Sequence, residues 1–140
     1  MRTLALAHQL PVDKDLAKAK KQAGELQKDA RNWIKIMSAE VAEFSALAGM
    51  AVGEVSVGDA GTRWGSCSST GRIRLSWRLI LAPPEVRRYV VAHEVAHLKH
   101  LDHGAKFKAL EAELFGPGLS EAKAILRRIG PRLRRIGRPV

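Results

Sequence analysis

Five consecutive residues, His93-Glu94-Val95-Ala96-His97, have the types and the spacing that metal-assisted hydrolysis needs. On a helix, residues four apart stand one above the other, so both imidazoles can reach one ion from the same face. Imidazole is largely neutral at pH 7 and offers a lone pair to a metal. Glu94 projects about 100° round the helix from His93, beside the ion but outside its ligand set. A carboxylate placed there can take a proton from water that zinc has made more acidic. Without a ligand, two unpaired histidines and a glutamate would be costly to bury in a helix flanked by Tyr89-Val90-Val91-Ala92 and Leu98. The chemistry expected is hydrolysis, with Zn2+ as cofactor and Glu94 as general base.

A catalytic zinc takes three protein ligands and keeps a fourth position for water. His100 and His103 compete for the third place. His100 lies seven residues from His93, a rise of about 10.5 Å on a straight helix. Nitrogens round tetrahedral zinc sit only about 3.3 Å apart, so His100 fits poorly. His103 fits if the chain turns back, and Asp102 and Gly104 beside it suit a turn. His103 is preferred. The spacing also matches HExxHxxGxxH, but that class needs a methionine after the third histidine, and methionine stands only at positions 1, 37 and 50. A glutamate ligand further along, Glu111, Glu113 or Glu121, is the alternative. Cys67 could ligate zinc too, yet it lies more than 20 residues before His93.

The elements that must hold this constellation are readable from periodicity. An apolar stripe through Ala23, Leu26, Ala30, Trp33, Met37, Val41, Phe44 and Ala48 marks a long helix from Val12 to about Leu47, which Gly49 stops. Val52 to Val57 alternates as a short strand. From Arg72 to Leu81, Ile73, Leu75, Trp77, Leu79 and Leu81 share one side. Arg72, Arg74, Ser76 and Arg78 share the other, so a half-buried strand with a basic outer side is expected. Its edge could receive an extended peptide, with Arg74 and Arg78 favouring acidic substrates. Pro83 and Pro84 then open the helix that carries the histidines, which runs to about His100. Helices Ala105 to Phe115 and Leu119 to Ile129 follow. The fold class is α+β: a long N-terminal helix, a short, mostly antiparallel sheet and an HExxH helix.

With 140 residues, 46% of them hydrophobic, the chain has room for one domain with a modest core. Residues 12–129 are assigned to that domain, 1–11 to an N-terminal extension and 130–140 to a basic tail. A single cysteine excludes an internal disulfide, and no run is apolar enough to span a membrane. The expected location is cytoplasmic. The net charge of +10 is uneven: residues 1–60 carry 8 basic and 8 acidic side chains, residues 116–140 carry 7 and 1. Such an end is read as a solvated terminus first, and as a weak nucleic-acid contact second. The oligomeric state is not legible.

From Thr62 onward the chain resembles the YgjP-like metallopeptidases, relatives of the WLM and SprT-like zinc peptidases. The resemblance rests on Arg63-Trp64-Gly65-Ser66-Cys67-Ser68-Ser69, on Leu75 through Val86, on Tyr89 through Leu98, and on Asp102-His103 with Phe107. It implies a small zincin fold, zinc, His103 as third ligand, Glu94 as catalytic base and a peptide or protein substrate. The SprT-like relatives digest proteins attached to DNA. Three features depart from the family: a β-rich N-terminal portion is usual where this sequence begins close to the long helix, and Gly104 and Lys108 stand where a serine and an aromatic residue are usual. The oxyanion stabiliser is not identified by sequence, although Arg63 could serve, and Trp64 and Cys67 read as core residues before cleft residues. The alternative function is a catalytically idle zinc-containing module that binds nucleic acid or protein.

Overall fold

A helix with large apolar side chains on one stripe must bury that stripe, and here it faces a small sheet and a second helix. The structure, a computed structural model, describes residues 30–59 and 63–136. Helix α1 spans Ala30–Ala48. Trp33, Met37, Val41 and Phe44 are buried along it, as their spacing requires. Gly49, with φ 67°, ends the helix in the left-handed region that glycine enters freely. The expected start of the long helix at Val12, the extension 1–11 and the end of the basic tail lie outside the described residues.

Three strands follow: β1 (Glu54–Gly58), β2 (Gly65–Cys67) and β3 (Arg72–Ser76). The spatial order is β1-β3-β2. β2 and β3 form an antiparallel hairpin, closed at Gly71 with φ 87°. β1 pairs with β3 in parallel over five residues, from Glu54 opposite Arg72 to Gly58 opposite Ser76. The sheet is therefore mixed, and the expectation of a mostly antiparallel one is corrected. Alternation of apolar and polar residues gives a strand's faces but says nothing of its direction. β3 lies in the middle of the sheet, so it has no free edge for a peptide. β2 does.

The strand expected to reach Leu81 stops at Ser76 and becomes a 3₁₀ helix, Trp77–Leu81. The Ser76 hydroxyl accepts the Arg78 backbone N–H at 3.3 Å and turns the chain. Arg78 was expected on a solvent-facing side; it is 2% exposed. Its Nε donates to the Ile136 carbonyl at 2.9 Å, and its guanidinium faces Asp59 at 3.1 Å and lies over the Trp77 ring. A buried arginine depends on such partners to offset the loss of water round its charge.

Helix α2 (Pro84–His97) opens at Pro84 and crosses the centre of the molecule. Val86, Val90, Val91, Ala92, Val95 and Ala96 are all buried. Arg87 grips Glu40 of α1 with two hydrogen bonds of 2.9 and 3.1 Å, and Arg88 grips Glu43 at 2.6 Å. Helix α3 spans Ala105–Phe115 and α4 spans Leu119–Leu133. α4 thus continues past Ile129 through Pro131, and Leu133 and Ile136 are buried in a core with Trp33, Trp77 and Val86. Residues 130–136 are packed structure, not a solvated tail. No helix among the described residues is long and apolar enough to cross a membrane.

Candidate metal centre

The end of α2 and the turn after it bring His93, His97 and His103 together. One ligand nitrogen from each lies within 4.8 Å of the others. The His97 and His103 Nε2 atoms are 3.1 Å apart, close to the ~3.3 Å expected of two nitrogens on tetrahedral zinc. The turn is made as the residue types suggest: the Asp102 carboxylate accepts the Gly104 N–H at 3.0 Å, and α3 starts directly afterwards. Below the cluster lies Phe107 of α3, almost fully buried. Its ring centroid is 4.9, 4.4 and 5.0 Å from those of His93, His97 and His103. An apolar floor of this kind restricts the tilt of all three imidazoles.

Two of the rings have their outer nitrogen already committed. His93 Nδ1 lies 2.6 Å from Glu111 Oε2, and His97 Nδ1 lies 3.0 Å from the His100 carbonyl. A carbonyl can only accept, so His97 carries its proton on Nδ1 and offers a bare Nε2. Burial pushes the Glu111 carboxyl up, but the His93 hydrogen bond and the charges of His93 and Lys123 bring it below the usual range. Glu111 is thus an ionised acceptor, and His93 too presents Nε2. Burial holds the His97 pKa below the usual histidine value, the His100 carbonyl opposes this, and His93 and His103 add to it. A neutral ring is what a metal requires. The donor set fits a divalent ion.

Glu94 shares with His93, His97 and His103 a cavity of about 310 Å³, which Arg63, Gly65, Ser66 and Cys67 also line. The residue is 6% exposed. Burial pushes its pKa up to about 7, against the pull of His93 and Arg63 and with the help of Glu111.

The family model described as YgjP-like, metallopeptidase domain, matches residues 3–129. The chain belongs to the YgjP-like family. No curated protein and no solved structure matches it.

The competing ligands now have places in this YgjP-like domain. His100 contributes its backbone carbonyl and not its ring. Glu111, read from sequence as a rival ligand, stands behind His93 and is itself met by Lys123 Nζ at 3.4 Å. Glu113 is exposed, and Glu121 lines a different cavity with Phe115 and Ile125. Arg63, Gly65, Ser66 and Cys67 line the cavity, so this stretch serves the cleft as well as the core. Burial, assisted by Glu94, pushes the Cys67 thiol up to about 11. It is neither a thiolate nor part of the histidine cluster.

Two residues escaped the sequence reading. Phe107 was noted only as part of the family match. Gly65 was noted in the same way, yet a Cβ there would stand 3.0 Å from both Cγ and Oε2 of Glu94. Only glycine lets β2 approach the carboxylate this closely. Tertiary proximity left no local pattern that could have identified either role.

Proposed function

We propose that this chain is a zinc-dependent peptidase in which His93, His97 and His103 hold the ion and Glu94 is the general base. The observation that carries the reading is the convergence of three imidazoles on one point beside a buried carboxyl in an open cavity. Zinc, when bound, supplies Lewis acidity toward water and toward a carbonyl oxygen. Glu94, as carboxylate, takes a proton from the attacking water and delivers it to the leaving amine nitrogen.

The peptide reading is supported by β2. Among the described residues this strand pairs on one side only, with β3, and three of its residues line the candidate metal cavity. An extended substrate laid along its free side would bring a backbone carbonyl to Glu94. Arg63 lines the same cavity and is the side chain assigned to meet the developing oxyanion.

The test joins metal analysis to cleavage of a peptide library. The wild-type chain is expected to hold one zinc per molecule and to cut peptides. Glu94→Gln should retain the zinc and lose at least about a hundredfold in turnover. Equal turnover in that variant would refute the base assignment. A zinc-loaded wild type that cuts no peptide while binding nucleic acid would favour the idle binding module.

A further inference from the structure

The space around Glu94 and His93 continues away from the histidine cluster. A cavity of about 230 Å³ runs from these two residues past Trp64, Tyr89, Leu126 and Arg134. Those last four residues also line a larger cavity of about 530 Å³, to which α4 adds Lys123 and Arg127. The smaller cavity thus shares walls with both neighbours: Arg63, Gly65, His93 and Glu94 with the cleft that holds the base, and Trp64, Tyr89, Leu126 and Arg134 with the larger cavity.

The larger cavity is cationic. Lys123, Arg127 and Arg134 face it, and no carboxylate among the described residues lines it. Lys123 is matched by Glu111. Among the described residues, neither Arg127 nor Arg134 has an ion-pair partner, and the buried Arg134 Nε has no hydrogen-bond acceptor. The Arg134 guanidinium lies 5.1 Å from the Trp64 ring centroid. Gly130 lets that indole lie flat against α4, since a Cβ there would meet Trp64 at 3.2 Å. An aromatic wall beside two cations without anionic partners is a built receptor for an anion.

We propose that this cavity is a specificity subsite that receives a carboxylate of the peptide substrate. The proposal rests on the peptidase reading, because the cavity neighbours, across the walls of the 230 Å³ space, the cleft assigned to the scissile bond. Its volume suits one or two residues of a peptide. A polynucleotide would instead need a long basic groove that follows its backbone. The carboxylate can come from an Asp or Glu side chain near the cut or from a free carboxy terminus.

Tryptophan fluorescence can read the subsite directly, because Trp33 and Trp77 are 5% and 3% exposed while Trp64 is only half-buried. The full zinc-loaded chain is titrated with four acetylated peptides, containing Glu or Gln and ending in a free acid or an amide. Peptides with a carboxylate should bind about tenfold more tightly than the Gln amide, and the Glu amide and the Gln acid distinguish the two sources. Arg127→Gln, at an exposed position, and Arg134→Gln should each bring that ratio close to one. Equal binding of all four peptides, or an unchanged ratio in both variants, overturns the subsite. So does a single-stranded oligonucleotide that quenches Trp64 more strongly than any peptide and loses this in Arg127→Gln. Cleavage by wild type is measured in parallel. If peptides are cut without preference for a carboxylate, the subsite falls and the peptidase reading stands; if none is cut but the tenfold binding ratio holds, the reverse follows.

Discussion

At the residue scale, His93 has one ring nitrogen engaged by Glu111, and that bond does two things. It places the proton on Nδ1, and it orients Nε2 toward His97 and His103. Glu111→Gln should therefore fold and still bind zinc, but 10–100-fold more weakly, as read by competition with a chelator. His100→Ala should bind as wild type does, because only the backbone carbonyl of His100 is used. His103→Ala should lose more affinity than either. Full zinc retention in His103→Ala would remove it from the ligand set. The contrast also marks what sequence could reveal. The four-residue spacing and the turn residues round His103 are enough to point to three histidines. The part played by Glu111 depends on how α3 packs against α2, and spacing along the chain could only rank it as a rival ligand.

The same scale gives a pH dependence for the metal-free protein. The folded pKa of Glu94, about 7, is raised above its ordinary value of 4.5, mainly by burial. Such a carboxyl favours the folded state while it is protonated. Its contribution is fully present below pH 4.5 and is lost as pH rises through about 7. The loss is at most about 3 kcal/mol, taking 1.36 kcal/mol per pH unit. Urea denaturation of the chelated wild type against chelated Glu94→Gln should thus give a gap that widens in favour of the variant between pH 5 and 8. A constant gap across that range would show that the Glu94 carboxyl is ionised at no such cost.

At the scale of elements, β2 and α2 are held at a separation that only glycine permits. Gly65→Ala places a methyl 3.0 Å from the Glu94 carboxylate and 3.2 Å from Leu75. The side chain that can move is Glu94, since Leu75 is packed in the core. Zinc content should stay at wild-type level while turnover falls about tenfold, because a displacement of a few tenths of an ångström already spoils the proton transfer. Loss of zinc together with activity would mean that β2 also supports the ligands. The element reading from sequence was good where one periodicity ruled, as in α1 and α2. It overran at Trp77 because a 3₁₀ turn can bury Trp77, Arg78 and Leu79 in succession, and the side chains that follow look like continued alternation. It missed β2 because three residues carry no period at all.

At the scale of the whole molecule, α2 is clamped between two cores. One contains Met37, Val41, Phe44, Leu75 and Phe107; the other contains Trp33, Trp77, Val86, Ile129, Leu133 and Ile136. The second is closed by the segment that charge alone marked as a tail. Its seven basic residues against one acidic residue over 116–140 were legible in sequence. The burial of Leu133 and Ile136 between them was not, since Gly130-Pro131 reads as a helix stop. Arg78 makes the closure obligatory: its Nε uses the Ile136 carbonyl, and losing that acceptor leaves a buried cation with Asp59 as its remaining ionic partner. Leu133→Ala should therefore destabilise the domain by about 2–5 kcal/mol in urea denaturation. A chain ending at Ile129 removes Leu133, Ile136 and the acceptor together, and should fail to fold cooperatively or to hold zinc. A dispensable tail predicts the opposite for both: an unchanged transition in Leu133→Ala and a stable, zinc-binding fragment 1–129. The truncation is the sharper of the two, because it tests whether the second core is needed to keep α2, and with it His93 and His97, in place.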